Sequence, residues 1–187
     1  MTLKQLIKSD FKRCGIETIT FRAILHTFVL VPVPGLKYMT IFRITQHYRY
    51  RNRMIFYFSY LWLRGLKYKY GYDISYRTTI GKGLYIGHFG GITIHGDAVI
   101  GENCNISQGI TIGVLVRGKN AGVPTIGDRV FIGPGAVILG GIKIGNDALI
   151  GTNSVVNFDV PEKAVVATPV ASIISDKGSG QYISNTA

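Results

Sequence analysis

The chain has 187 residues, 47% of them hydrophobic, and carries 24 glycines where about 13 would follow from ordinary usage. Its two cysteines, Cys14 and Cys104, exclude a disulfide framework and point to a reducing compartment. The net charge of +11 is uneven: residues 1–70 hold 13 Lys/Arg, 2 Asp/Glu and 14 of the 21 aromatics, whereas residues 71–187 are neutral overall and hold 21 of the glycines. The shift marks a boundary near Tyr70–Asp73.

In chain order, the opening MTLKQLIKSDFKRCG lacks the uninterrupted apolar core of a signal peptide. Ala23–Leu36 is uncharged for 14 residues but includes His26, Pro32 and Pro34, and Met54–Leu63 is uncharged for ten. Neither reaches the ~20 apolar residues of a spanning helix, so a cytoplasmic chain is expected. Residues 1–70 read as helices broken at Pro32–Gly35 that cap a neighbouring domain. The stretch IFRITQHYRYRNRMIFYFSYLWLRGLKYKYG mixes aromatics with cations. Such a mixture can stack bases, but no nucleic-acid motif accompanies it, and no nucleic-acid partner is expected. An anionic membrane surface fits better, with a peripheral location on the inner face of the plasma membrane. The alternative is a cap packed within an oligomer, its charges simply solvated.

From residue 74 an aliphatic residue recurs every sixth position: Ile74, Ile80, Ile86, then Ile94, Ile100, Ile106, Ile112, then Ile126, Ile132, Ile138, Ile144, Ile150 and Val156. A period of six is neither helical nor simple strand alternation; it is the hexapeptide signature of a parallel β-helix. Apart from slips of two and eight residues, Ile74–Val156 comprises 12 hexads, or about four triangular coils. Domain boundaries follow: 1–70 a helical head, 71–174 the β-helix with Val160–Ile174 closing it, and 175–187 a flexible tail. Cys104 reads as a small buried hydrophobe rather than a nucleophile.

The short slip, LYIGHFGGITIHG, contains His88. A histidine suits general-base chemistry, provided its second nitrogen is oriented by a partner such as a carboxylate. Asp73 precedes it by 15 residues, within one coil. The alternative is that His88 is a polar corner residue, but its place in the one short slip favours the catalytic reading. His95, at another corner, reads as a surface residue. The long slip, VLVRGKNAGVP at 114–124, reads as a polar loop leaving the coil, with Arg117 and Lys119 on it. Two β-helix histidines do not make a catalytic zinc set, and no metal is expected.

The stretches DISYRTTIGKGLYIGHFGGITI, VIGENCNISQGITIG, IGDRVFIGPGAVILGGIKIGNDALIGTNSVV and VPEKAVVATPVASI together resemble the left-handed parallel β-helix acyltransferases. The resemblance covers roughly residues 71–174, lies in the serine acetyltransferase-like branch, and is read as closest to the O-acetyltransferases of capsule and exopolysaccharide synthesis. It implies an acetyl-CoA donor, a homotrimer with sites in clefts between subunits, His88 as general base and Asp73 as its orienting carboxylate. The 114–124 loop would be a flap over the acyl or pantetheine arm. Gly113, Gly133, Gly135 and Gly151 would leave room for that arm, and Thr168, in the closing segment Ala167–Ala171, would lie near the nucleotide. True serine acetyltransferases carry Asp before the histidine and an Arg-His pair before a loop Pro; here these positions are Gly87, Gly122 and Val123. That departure makes a sugar or lipid-linked saccharide hydroxyl the expected acceptor. Serine O-acetylation and a non-catalytic trimeric scaffold are the alternatives.

Overall fold

The computed structural model describes residues 1–30 and 33–173. The expected tail at 175–187 lies outside the described residues, as do Pro32 in the predicted helix break and Ile174 at the end of the closing segment.

Four α-helices precede the β-helix. Helix α1 (Leu3–Arg13) starts in a capping box, the Thr2 hydroxyl accepting from the Gln5 N–H and the Gln5 amide oxygen from the Thr2 N–H. Helix α2 (Phe21–Leu25) runs into a π-helical turn, His26–Leu30. Helix α3 (Pro34–Tyr48) has proline in its first turn, where no N–H is needed. Helix α4 (Arg53–Tyr70) is capped by the Asn52 side chain, which accepts from Ile55 N–H, and ends at Gly71 with φ +67°.

Fourteen short strands then wind three parallel faces among the described residues. The first face stacks Tyr72–Ile74, Ile92–Ile94, Thr111–Gly113, Val137–Leu139 and Val155–Val156. The second stacks Thr79–Ile80, Val99–Ile100, Thr125–Ile126 and Lys143–Ile144. The third stacks Tyr85–Ile86, Asn105–Ile106, Phe131–Ile132, Leu149–Ile150 and Val165–Val166. The hexad isoleucines point inward in register, Ile74 on Ile94 and Ile94 on Ile112, and are buried. Each such burial contributes about 1.5–3 kcal/mol. Four coil-to-coil steps separate Ile74 from Val156, and Val165–Val166 extends the stack to about five turns.

The first coil leaves an open row of backbone carbonyls, the usual liability of a solenoid end. Helix α3 meets that row. The Tyr38 hydroxyl donates to Ile74 O at 2.9 Å, Gln46 Nε2 to Tyr76 O and Thr78 O at 3.0 and 2.8 Å, and Arg43 to Ile80 O and Gly81 O, each at 2.6 Å. Helix α3 also packs on α1 and α4, and Tyr38, Met39 and Phe42 are buried. Its first turn touches the coil backbone. A Cβ on Gly35 would lie 2.7 Å from Ile86 Cβ and closer still to Ile86 O. Gly35→Ala is therefore expected to lever α3 off the coil and cost about 1–3 kcal/mol in urea unfolding, although alanine is the better helix former.

Candidate active site

The two-residue slip is a bulge, not a register shift. Tyr85 still pairs with Asn105 and Thr93 with Thr111, so the extra residues are extruded at the corner between the third and first faces. Gly90 and Gly91, at φ +102° and +65°, turn the chain back into the first face. Close approach adds a second reason for glycine at 91, where a Cβ would lie 3.3 Å from Gly109 Cα. His88 and Phe89 stand exposed on the bulge. The buried Tyr72 hydroxyl donates to the His88 carbonyl at 3.3 Å. Burial pushes that phenol well above its ordinary range, so it stays a donor throughout the working pH range. The His88 imidazole has no hydrogen-bond partner among the described residues.

Asp73, next to Tyr72, points outward from the first face. Its carboxylate meets Lys67 of α4, Oδ1 to Nζ 2.5 Å, and makes no hydrogen bond to His88. Two grooves converge on Asp73. One runs under α4 past Lys67, Tyr68 and Gly71. The other runs over the first face past Ser75, Thr93, His95, Gly113 and Leu139.

His95, expected at the surface, is half-buried on the first-face groove. Its Nδ1 accepts the Asp97 N–H at 3.2 Å, which orients the ring and leaves Nε2 as the donor of the neutral imidazole. It lines the same groove as Asp73. Coil arithmetic carried the signal: Ile74 pairs with Ile94, so His95 stands one coil beyond Ser75.

The 114–124 loop is a tethered hairpin. Leu115 and Gly122 exchange two backbone hydrogen bonds of 2.9 Å, the Gly141 N–H donates to Asn120 O at 2.9 Å, and Asn120 Nδ2 donates to Asn157 O at 2.5 Å. Val114, at its base, borders the first-face groove. Arg117 and Lys119 are exposed on it.

Three of the glycines expected to leave room for a pantetheine arm also lie tight against the neighbouring coil. A Cβ at Gly133 would lie 3.0 Å from Ile150 O, and one at Gly151 would lie 2.9 Å from Val166 O. Gly135, at φ +70°, abuts the Asn153 side chain. These positions let one coil approach the next. The Thr168 hydroxyl likewise donates to Thr152 O at 3.3 Å. Gly113 differs, because it borders the groove that holds Asp73 and His95.

Residues 124–157 match the family described as bacterial transferase hexapeptide (six repeats). The serine acetyltransferase of Helicobacter pylori strain 26695 is 34% identical over 151 residues, which cover 80% of this chain and 86% of that one. The serine acetyltransferase of Mycobacterium tuberculosis is 46% identical over 98 residues, 51% of this chain but only 42% of the larger enzyme. Among solved structures, Entamoeba histolytica serine acetyltransferase isoform 3 in complex with cysteine superposes with TM-score 0.72 at 28% identity, covering 96% of this chain and 63% of that one. The Neisseria gonorrhoeae enzyme in complex with serine gives 0.70 at 30% identity, covering 91% and 68%.

These similarities overturn the expectation of a capsule or exopolysaccharide enzyme acting on a sugar hydroxyl. The relatives and solved structures that share its sequence and β-helix fold are serine acetyltransferases, although the chain carries Gly87, Gly122 and Val123. By the extent of its match to the Helicobacter pylori enzyme, together with its fold, the chain belongs to the serine acetyltransferase family of hexapeptide-repeat acyltransferases.

Proposed function

We propose that the protein transfers the acetyl group of acetyl-CoA to the hydroxyl of serine, with His88 as general base. The observation that carries this reading is family membership combined with an unpartnered imidazole on the bulge beside the first face. His88 takes the hydroxyl proton as the serine oxygen attacks the thioester carbonyl. The tetrahedral oxyanion is met by a backbone N–H. Collapse expels the CoA sulfur, which recovers the proton from the imidazolium, and the base is restored. Asp73 adds negative charge to the groove wall but is paired with Lys67 and not with the imidazole, while Tyr72 fixes the backbone that carries His88.

With Gly122 and Val123 in place of an Arg-His pair, the serine carboxylate needs another cation. Lys67, beside Asp73 where the grooves meet, fits that part. His95 Nε2 supplies a further donor along the same wall. A homotrimer suits the reading. Phe131, Leu149 and Val165 form an exposed apolar row on the third face, which a second copy would cover.

The test is acceptor-dependent release of free thiol from acetyl-CoA. Serine is expected to stimulate release, and Lys67→Met to raise the serine KM about tenfold or more with a smaller change in kcat. A protein that binds CoA yet shows no response to serine would overturn the serine reading. A serine KM unchanged in Lys67→Met would remove Lys67 from it.

A further inference from the structure

Helix α4 is inside out on its solvent side. Ser59, Leu63, Leu66 and Tyr70 face the protein at helical spacing and are buried. The opposite face should be polar in a helix lying on a globular surface. Instead Met54, Phe58, Leu61 and Tyr68 stand 72%, 73%, 60% and 73% exposed, with Trp62 beside them at 51%. Arg53, Arg64 and Lys69 flank this stripe, and the helix RMIFYFSYLWLRGLKYKY contains no acidic residue. The two carboxylates of residues 1–70 do not answer these cations: Asp10 is buried on Arg43, and Glu17 lies 3.6 Å from Lys12.

An apolar face this large, rimmed by one sign of charge, calls for a partner that is apolar beneath and anionic at its surface. A second copy docked through the same face would set cation against cation. Nucleic acid would leave Met54, Phe58 and Leu61 facing phosphates. No single described helix is long and apolar enough to cross a membrane, so the geometry is that of a helix lying flat. We propose that α4 lies in the headgroup layer of an anionic lipid bilayer, with Phe58, Leu61 and Trp62 immersed and Arg53, Arg64 and Lys69 on lipid phosphates. This docking is independent of the acceptor.

Trp62 is the chain's one tryptophan, so its emission reports on this face alone. The full-length protein would be mixed with vesicles of phosphatidylcholine, either pure or containing about 30% phosphatidylglycerol, and followed by Trp emission and co-sedimentation at low and high salt. A blue shift and pelleting with the anionic vesicles, weakened by salt, are expected. Arg53→Gln/Arg64→Gln/Lys69→Gln should weaken partitioning by about 100-fold, at about 1 kcal/mol per basic residue. Phe58→Ser/Leu61→Ser should abolish the blue shift while the circular dichroism stays native, because both side chains are exposed. Three results would overturn the proposal: no binding to anionic vesicles at low salt, undiminished binding by both variants, or a fall in oligomer mass when Phe58 and Leu61 are replaced in the absence of lipid. The last would assign the stripe to contact between copies.

Discussion

Replacing His88 by alanine is expected to lower kcat for acetyl transfer by about 10²–10⁴-fold and to leave the KM for acetyl-CoA near its wild-type value. The size follows from what is lost. A serine hydroxyl attacks a thioester slowly unless its proton leaves as the bond forms, and no other imidazole shares the bulge. The expectation is selective because the mutation is structurally mild. His88 is exposed, its side chain makes no hydrogen bond among the described residues, and its carbonyl would still accept from Tyr72. Thermal unfolding should therefore be unchanged while turnover collapses. His95→Ala is the informative control. His95 lines the first-face groove and not the bulge, so on the proposed reading its loss should act mainly through the serine KM. Equal kcat losses in the two variants would show that the base had been assigned to the wrong corner. Steady-state thiol release at saturating acetyl-CoA, read against serine concentration and pH, separates these cases.

The sequence was most legible where one physical cause determined the residue. The hexad position of each strand from Ile74 to Val156 holds a buried Ile or Val, so that beat reports the strands, their faces and their register, and the slip at His88 stands out against it. Glycine was harder to read because two causes produce it. At Gly133 and Gly151 the next coil lies about 3 Å from where a Cβ would be, which by itself calls for glycine whether or not a ligand also passes there. The partner of Asp73 was also hidden. Lys67 belongs to α4, and how that helix is rotated over the first coil is set by packing between elements, which no repeat encodes. The acceptor class is hard to read for a related reason: Gly87, Gly122 and Val123 are visible departures, whereas the groups that α4 and the first face bring to the grooves, Lys67 and His95 among them, are placed by packing between elements.

Asp10→Ala is expected to destabilise the protein by about 3–5 kcal/mol, because it breaks a buried ion pair by removing one partner. Asp10 and Arg43 are each 1% exposed and 3.0 Å apart. Arg43 also holds the carbonyls of Ile80 and Gly81, and Asp10 Oδ1 accepts the Gly83 N–H at 2.9 Å, so one buried pair fastens α1 and α3 to the first coil. Truncating Asp10 strands a guanidinium in the interior and leaves the Gly83 N–H without its acceptor. Replacing both ions, as Asp10→Leu with Arg43→Met, should cost less than Asp10→Ala, because no unpaired charge remains. The pH dependence has an unusual sign. Burial holds the Asp10 carboxyl above its ordinary 3.8, although Arg43 and the backbone N–H groups of Gly83 and Leu84 pull it down. Between 3.8 and that raised value the folded state binds more protons than the unfolded one, so this site's contribution to stability falls as pH rises through the window. Urea midpoints measured across that acidic range should show the decline in the wild type and lose this component in Asp10→Asn. A double variant less stable than Asp10→Ala would mean that the carbonyl contacts of Arg43, and not its charge pairing, hold the head to the coil.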